Sequence, residues 1–173
     1  MNIVECTEDE HGSAILDILN QAIVNSTALY DYQPRLPDSM KPWFEAKRKG
    51  TYPVIGAVNE NDKLLGFASY GSFRSWPAYK YTVEHSVYIH HDHRGRGLGQ
   101  ALMKEIIFRA IEQGYHVLIG GIDAANKPSI RLHEKLGFVC SGIIKQAGFK
   151  FGQWLDLAFY QLTLSTPEDP RDG

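Results

Sequence analysis

A glycine-rich turn between a predicted strand and a predicted helix constrains this chain more than any other feature. Residues 81–89 are rich in β-branched and aromatic side chains, which is typical of a strand. From Leu98 the apolar residues recur at helical spacing. Residues 90–97 connect the two segments and carry Gly95 and Gly97. Because a helix N-terminus has unpaired N–H groups and a partial positive charge, the turn predicts an anion site in an α/β fold.

Three interpretations of this turn compete. A Rossmann site requires Gly-x-Gly-x-x-Gly, and a P-loop requires Gly-x-x-x-x-Gly-Lys followed by Ser or Thr. This chain instead has Gly-x-Gly-x-Gly over residues 95–99. The third interpretation is a plain helix cap with flexible glycines. Arg94 and Arg96 add cationic donors among the glycines, so the pattern favours a cradle for a pyrophosphate or similar anion.

The rest of the chain alternates between strand-like and helix-like segments. The predicted strands are residues 3–6, 54–58, 64–70, 81–89, 117–122, 138–144 and 155–164, and the predicted helices are residues 13–23, 40–49, 98–111 and 129–136. The order β-α-α-β-β-β-α-β-α-β-β predicts a mixed α/β domain with one central sheet. We assign residues 1–164 to this domain and expect the linker-like residues 165–173 to be a flexible tail.

Composition argues against several classes of function. Lys and Arg number 18 against 20 Asp and Glu, and the formal charge of −2 offers no cationic excess for a nucleic-acid backbone. Cys6 and Cys140 are far apart and form neither a disulfide framework nor a zinc motif. The N-terminus does not resemble a signal peptide, and no apolar run is long enough to span a membrane. We therefore expect a cytoplasmic protein that binds neither nucleic acid nor membranes.

A histidine cluster precedes the glycines. Residues 90–93 read His-His-Asp-His and resemble metal ligands at first sight. Zinc sites use about four ligands at defined spacing, and no second cluster or cysteine pair completes this one. We expect a structural or solvent-exposed role for the cluster and no metal. His85, farther upstream, is adjacent to Glu84 and can tune a neighbouring site.

Residues 94–99, Arg-Gly-Arg-Gly-Leu-Gly, resemble the Arg/Gln-x-x-Gly-x-Gly/Ala motif with which GCN5-related N-acetyltransferases hold the pyrophosphate of acetyl-CoA. Residues 126–129 and 132–138 are similar to the second cofactor motif of that family. Residues 82–88 and 148–156 resemble a narrower branch, the phosphinothricin and methionine-sulfoximine acetyltransferases. The resemblance extends over nearly the whole chain. It implies a single GNAT-type domain whose central sheet contains a splayed strand.

The resemblance also implies which residues hold acetyl-CoA. The splayed strand places its backbone beside the pantetheine, the glycine loop surrounds the pyrophosphate, and the Asn126 amide hydrogen-bonds the pantetheine. Ser129 either binds the cofactor or caps the following helix. His133 occupies the position of a tyrosine in many relatives, so it either protonates the leaving thiolate or packs near the adenosine or the sheet. The implied cofactor-binding residues are Val87, Tyr88, Ile89, Arg94, Gly95, Arg96, Gly97, Leu98, Gly99, Gln100, Asn126, Ser129 and His133.

Glu84 is the candidate catalytic base. The reaction requires an amine to attack a thioester, and an amino-acid amine is mostly protonated at neutral pH, so a base must take up a proton. Taken alone, a single glutamate on a half-exposed strand is better explained as a surface carboxylate. The match of Thr82-Val83-Glu84 to the branch favours the base.

The branch implies a small amino acid or analogue as the acceptor, with a carboxylate to anchor. Arg74 either pairs with that carboxylate or is an exposed loop arginine. The acceptor wall is expected within residues 25–35, where Tyr32 and Arg35 are further candidates. Phe149 and Lys150 belong to the branch signature and can reach the site across a dimer interface. The predicted substrate-binding residues are Tyr30, Arg74, Ser75, Trp76, Glu84, His85, Ser86, Phe149 and Lys150.

The predicted protein is an acetyl-CoA-dependent N-acetyltransferase that uses no metal. Its expected acceptor is the α-amino group of small amino acids or analogues of the methionine sulfone, methionine sulfoximine and phosphinothricin type. A non-catalytic module that senses acyl-CoA or docks a partner would keep the cofactor motifs without needing Glu84. A protein N-terminal or lysine acetyltransferase would need an open groove for a chain. The branch also implies a homodimer.

Overall fold

The computed structural model describes residues 1–173, which form seven strands and four α-helices. In chain order they are β1 (Asn2–Glu5), α1 (Glu8–Asn25), α2 (Met40–Lys49), β2 (Val54–Val58), β3 (Leu64–Ser72), β4 (Thr82–Ile89), α3 (Leu98–Glu112), β5 (Val117–Asp123), α4 (Lys127–Lys135), β6 (Val139–Lys150) and β7 (Gln153–Thr163). The predicted order of elements is confirmed, and the strands form one mixed sheet. No helix has both the length and the apolar character that crossing a bilayer requires.

The first of two compact units comprises residues 1–70 and 86–106. Its strands β1, β2 and β3 pair antiparallel in sequence, with Asn2 opposite Val58 and Val54 opposite Ser69. Every residue of β2 is buried, which explains why its sequence is an apolar run without alternation. The core of this unit is a cluster of buried side chains: Cys6, Ile15, Leu16, Ile18, Leu19, Met40, Phe44, Val54, Val58, Leu64 and Phe67.

Helix α1 begins at Glu8, before the predicted start at Ser13. The Thr7 hydroxyl caps the helix by accepting a hydrogen bond from the Glu10 N–H at 3.3 Å. The negative charges of the acidic residues in the first turn interact favourably with the positive end of the helix dipole. Because this turn is polar, the apolar spacing starts only at Ala14 and cannot reveal where the helix begins.

The second compact unit comprises residues 71–85 and 107–173. The first part of β4 runs parallel to β5, and the pairing ends with Glu84 opposite Ile119. Strand β5 also pairs antiparallel with β7, and β7 pairs with β6, the edge strand. Gly114 and Gly137 lie just beyond the ends of α3 and α4, and their φ values of 74° and 90° suit glycine.

The β6–β7 hairpin is longer than predicted. Strand β6 continues to Lys150, although residues 145–154 were expected to lie between the strands. Pairing with β7 extends β6, while a register shift after Ile144 and a positive φ of 54° at Gln146 interrupt its regular pattern. The turn is Phe151-Gly152, with φ of 51° and 73°, as in the tight turns that suit right-handed strand twist.

Residues 164–171 make hydrogen bonds within the second unit. The Leu164 N–H donates to the His116 carbonyl at 2.7 Å, and the Thr166 hydroxyl donates to the Tyr115 carbonyl. The Arg171 N–H donates to the Tyr81 hydroxyl at 3.1 Å. The mobility expected for residues 165–173 stays a prediction.

Candidate active site

The glycine loop lies in the first unit, between the end of β4 and the start of α3. Gly95 and Gly97 have φ of 75° and 79°, and a Cβ atom built on either one meets nothing within 4 Å. The backbone is therefore open on that side. The N–H groups of Leu98, Gly99 and Gln100 belong to the first helical turn, which has no preceding carbonyls to accept from them. With Arg94 and Arg96 beside them, these groups fit a pyrophosphate.

In the segment Val87–Ile89 of β4, it is chiefly the backbone that is available for contact with a ligand. A Cβ atom at Gly66 of β3 would lie 2.8 Å from the Tyr88 carbonyl oxygen, so glycine lets β3 pack closely against this segment. The Tyr88 ring packs against Phe67 with ring centroids 5.5 Å apart. The Tyr88 side chain therefore serves the core, and any cofactor contact it makes is through the backbone.

The carboxylate of Glu84 lies in the second unit, beside Gly121 of β5. A Cβ atom at Gly121 would be 3.1 Å from Oε1 of Glu84, 3.4 Å from Cδ1 of Leu157 and 3.9 Å from Cε1 of Phe159. The carboxylate thus has apolar side chains close to it. Burial raises the pKa of Glu84, and the charge of Arg74 acts in the opposite direction. A carboxylate with a raised pKa accepts a proton more readily, as a general base requires.

The loop between β3 and β4 brings Arg74 into the electrostatic range of Glu84. The Arg74 guanidinium lies 5.1 Å from the ring centroid of Phe73, which itself packs edge-on against Phe159 at 6.4 Å. Phe73 therefore positions the cation on the same side as the carboxylate. Ser75 and Trp76, also predicted to bind substrate, are exposed on this loop.

His85 and His133 form a buried stacked pair in the second unit. Their ring centroids are 5.0 Å apart with an interplanar angle of 19°, and Phe138 packs edge-on against both. A Cβ atom at Gly120 would lie 2.9 Å from Nε2 of His85 and 3.1 Å from Nε2 of His133. Burial lowers the pKa of both imidazoles, to about 3 for His85, where the charge of His133 adds to the effect.

The hydrogen bond of His133 indicates its tautomer. Its Nδ1 lies 2.7 Å from the Ser129 carbonyl oxygen, which can only accept, so Nδ1 carries the proton. The lowered pKa keeps the ring neutral, and Nε2 is then a hydrogen-bond acceptor. In this state His133 offers no proton at Nε2 to a leaving thiolate, and its ring packs against His85 of β4. The role of His133 toward the cofactor stays a prediction.

Asn126 caps helix α4. Its Oδ1 accepts a hydrogen bond from the Ser129 N–H at 3.2 Å, so the cap is Asn126 and Ser129 supplies the backbone donor. The Asn126 backbone in turn donates to the Asp123 carbonyl at 2.8 Å, which holds the turn against the end of β5. The remaining amide nitrogen of Asn126 is the atom that can donate to a ligand.

The other predicted substrate residues lie on different elements. Tyr30 is exposed on the loop after α1, in the first unit. Phe149 and Lys150 lie at the β6–β7 hairpin of the second unit, where Lys150 is buried and its Nζ lies 5.0 Å from the Phe151 ring centroid. Phe149 of β6 pairs with Trp154 of β7. Leu157, which lies beside Glu84, is three residues farther along β7, a distance of roughly 10 Å from Trp154.

The histidine cluster forms a tight 3-10 turn, His91–His93. The Asp92 N–H donates to Nδ1 of His90 at 3.3 Å, and Nε2 of His91 lies 3.2 Å from the Asp92 carboxylate. These contacts give the side chains a structural role. They also bring one ligand atom each of His90, His91 and Asp92 within 4.8 Å of one another, a spacing from which a metal ion can be held. The expected absence of a metal stays a prediction.

Sequence reasoning missed Gly120, Gly121, Phe73 and Phe159. Two adjacent glycines inside a strand are the one visible signal, since glycine in a strand marks a close approach of other groups. The two aromatic residues give no such signal, because an aromatic residue in a strand is ordinarily part of the core.

Comparisons with known proteins find a matching family and similar structures. Residues 16–138 match the acetyltransferase (GNAT) family. The chain is 45% identical over 150 residues to an L-methionine sulfoximine/L-methionine sulfone acetyltransferase of Pseudomonas paraeruginosa, over 87% of each chain. A solved structure from Acinetobacter baylyi ADP1, assigned as an acetyltransferase, is 65% identical with a TM-score of 0.98, over 99% of this chain and 96% of that one. A phosphinothricin acetyltransferase from Sinorhizobium meliloti in complex with acetyl-CoA is 33% identical with a TM-score of 0.90, over 94% and 88%.

Proposed function

The chain belongs to the acetyltransferase (GNAT) family, and from this premise we propose that it transfers the acetyl group of acetyl-CoA to the α-amino group of a small amino acid or analogue. The acceptor class follows the relatives, which are named for methionine sulfoximine, methionine sulfone and phosphinothricin. Each of these acceptors carries an α-amine, an α-carboxylate and a polar end group. We propose methionine sulfone or sulfoximine as the preferred acceptor, because the relatives named for them are more similar in sequence.

The placement of Glu84 is the observation that carries this proposal. Its carboxylate lies beside Gly121, where no side chain separates it from the space over β5. Leu157 and Phe159 border that space with apolar side chains. Since burial raises the pKa of Glu84, the group is a better proton acceptor than an exposed carboxylate. A surface carboxylate on a solvated face would show none of these features.

Arg74 completes the proposed acceptor site. A guanidinium pairs with a carboxylate through two parallel hydrogen bonds, which fixes both the position and the orientation of an amino acid. Held in this way, the α-amine lies within reach of Glu84, which takes up one proton and leaves the nitrogen lone pair free to attack. Phe73 positions Arg74 by stacking on it.

Acetyl-CoA supplies the activated acetyl group as a thioester. We propose that Gly95 and Gly97, the first turn of α3 and the two loop arginines hold its pyrophosphate, because these groups present open backbone and cationic donors. The backbone of Val87–Ile89 and the Asn126 amide hold the pantetheine. The family resemblance adds His133 to the same proposed binding set.

A thiol-release assay tests the activity. Purified protein is mixed with acetyl-CoA and L-methionine sulfone, and free CoA is followed with a thiol reagent. We expect release that depends on the amino acid, with methionine sulfoximine also active and phosphinothricin weaker. The N-acetylated form of methionine sulfone is the matched control, because it lacks only the free amine. Binding of acetyl-CoA without amine-dependent release would contradict the enzyme and indicate an acyl-CoA-sensing module.

We also propose that the protein is a homodimer. Strand β6 is the edge of the sheet, and apolar side chains are exposed along it and its hairpin: Val139, Ile143, Ile144, Phe149, Phe151 and Trp154. An edge strand with exposed apolar residues is a ready surface for association. Phe149 lies roughly 10 Å along the hairpin from the residues beside Glu84. We therefore propose that Phe149 of one copy contacts the substrate bound in the other copy.

A further inference from the structure

The stacked pair of His85 and His133 has more hydrogen-bonding atoms than the protein satisfies. Both ring nitrogens of His85 and Nε2 of His133 are buried and have no partner in the protein. The residues themselves are 7% and 2% exposed, so bulk solvent does not reach these atoms. Buried polar atoms are almost always paired with protein groups or with ordered water. These nitrogens therefore indicate a site for a small polar molecule.

The two Nε2 atoms converge on Gly120. Both lie within 3.1 Å of the point where a Cβ atom would stand on that residue. Glycine leaves this side of β5 free of a side chain. Phe138 packs edge-on against both imidazoles, with its ring centroid 5.3 Å from that of His85 and 5.1 Å from that of His133. Phe138 offers no hydrogen-bonding atom. Tyr160 also packs beside His133, with ring centroids 6.4 Å apart, and its hydroxyl donates to the Glu134 carboxylate at 3.4 Å.

The polarity of the two nitrogens is complementary. His133 donates from Nδ1 to the Ser129 carbonyl, so its Nε2 accepts. A buried neutral His85 carries one N–H, and placing that proton on Nε2 directs a donor to the same region. A molecule that accepts one hydrogen bond and donates another satisfies both atoms, and water is the smallest molecule that does so.

We propose that His85, His133 and Gly120 enclose a site for one internal water molecule, which accepts from Nε2 of His85 and donates to Nε2 of His133. His85 is then a positioning residue for His133. The Ser129 carbonyl fixes the His133 ring from one nitrogen, and His85 fixes it through the water from the other. The water site does not depend on acetyl transfer. Only the relevance of the His133 ring orientation to acetyl-CoA binding rests on the proposed function.

Crystal structures of the full chain and two variants test the site. His85→Phe keeps a ring in the stack but removes both nitrogens, and Phe138→Leu changes the other neighbour of both rings without touching a polar atom. In the unmodified protein and in Phe138→Leu we expect a density peak within about 2.6–3.2 Å of both Nε2 atoms. In His85→Phe the peak should be absent. A peak bonded to only one Nε2, no peak, or a direct contact between the two nitrogens would overturn the proposal.

Nitrogen NMR of His133 separates positioning from a merely structural role. In the unmodified protein the spectrum should show the Nδ1–H tautomer with a hydrogen-bonded Nε2. In His85→Phe the Nε2 resonance should move toward that of an unbonded imidazole nitrogen, while in Phe138→Leu it should not move. If His85→Phe does not fold, His85→Gln keeps one donor and should retain the signal. An unchanged His133 resonance in a folded His85→Phe protein would contradict the positioning role, whether or not the protein transfers acetyl groups.

Discussion

Two adjacent glycines in β5 determine which groups can lie on each face of the sheet. Successive strand residues point to opposite faces, so Glu84 and His85 of β4 are directed to different sides. Gly121 makes room for the carboxylate and Gly120 makes room for the imidazole pair. The sheet therefore separates the proposed base from the two histidines. The proton-accepting character of Glu84 derives from burial, and the charge of Arg74 opposes it.

Gly121→Ala should reduce turnover while leaving the fold intact. The new Cβ atom would stand 3.1 Å from Oε1 of Glu84, at the flexible end of that side chain, so the carboxylate moves and the backbone does not. Since small displacements of catalytic groups cost up to about 100-fold in rate, we expect kcat to fall at least about tenfold. Steady-state kinetics and thermal unfolding measure the two effects. An unchanged kcat would indicate that the position of Glu84 is unimportant.

The buried imidazoles should make folding stability depend on pH. The pKa of His85 is lowered from 6.5 to about 3 in the folded protein, so the unfolded chain binds the proton more readily. The stability contributed by this neutral residue is complete above pH 6.5 and decreases as the pH falls from there toward 3. We expect the urea midpoint to decrease between about pH 7.5 and 5, and to decrease less in His85→Phe. Equal decreases in both proteins would be inconsistent with a buried neutral His85.

Single residues differ in how far the sequence could predict them. Glu84 was predicted because Thr82-Val83-Glu84 matches a motif, and Arg74 because its loop lies near Glu84 in chain order. The structure places the two within electrostatic range. The stacking of His85 on His133 and the contact of Phe73 with Phe159 were not predicted. These contacts join elements that are distant along the chain, and no local pattern encodes the register that brings them together.

At the scale of elements, the proposed anion-binding unit is the junction of β4, the glycine loop and α3. Its geometry depends on left-handed backbone at Gly95 and Gly97, which a side chain would penalise, and on open space beside both residues. Gly97 precedes α3 and Gly114 follows it, and the two glycines have nearly the same φ. Substituting each in turn separates the effect of backbone strain on stability from the effect on cofactor binding.

Gly97→Ala should weaken acetyl-CoA binding, and Gly114→Ala should not. Both substitutions place an alanine at a φ near 75°, which costs roughly 1–2 kcal/mol of folding free energy. We therefore expect similar losses in thermal stability for the two variants. Only Gly97→Ala should raise the acetyl-CoA dissociation constant in calorimetry, because only Gly97 lies in the proposed cradle. Equal affinity for acetyl-CoA in the two variants would argue against a role of the loop in cofactor binding.

Elements with a regular apolar pattern were predicted well from the sequence. The bounds of α2 and β2 are those predicted, because a cap or turn signal lies directly beside each apolar segment. Strand β6 was predicted six residues too short, since it ended at Ile144 in the prediction and ends at Lys150 in the structure. Its second half is held by pairing with β7, a long-range interaction that local residue preferences do not reveal.

At the scale of the whole molecule, the exposed edge strand β6 is the main feature that a monomer leaves unexplained. Residues such as Ile143 and Ile144 are about half exposed there, on a strand whose outer edge is not covered by another strand. Natural proteins usually protect such edges with charges, proline or a partner. We interpret the absence of charged residues at these two positions as a sign that a second copy covers them.

Ile143→Lys should convert the proposed dimer to a monomer. A lysine on the covered edge would bury a charge without a partner, which strongly disfavours association. Light scattering coupled to size-exclusion chromatography measures the mass in solution. Phe108→Lys is the matched control, because Phe108 is similarly exposed but lies on α3, and that variant should remain a dimer. A monomeric unmodified protein, or a dimeric Ile143→Lys variant, would contradict the proposed interface.

The central claim is that Glu84 accepts the proton of the amino-acid amine during acetyl transfer, and the turnover of Glu84→Gln tests it most directly. The amide keeps the size of the side chain but cannot take up the proton. With acetyl-CoA and L-methionine sulfone we expect kcat to fall about 100- to 10,000-fold, while the acetyl-CoA dissociation constant is unchanged. Glu60→Gln, in the exposed β2–β3 turn, should keep full activity. A Glu84→Gln enzyme that retains the kcat of the unmodified protein would contradict the account.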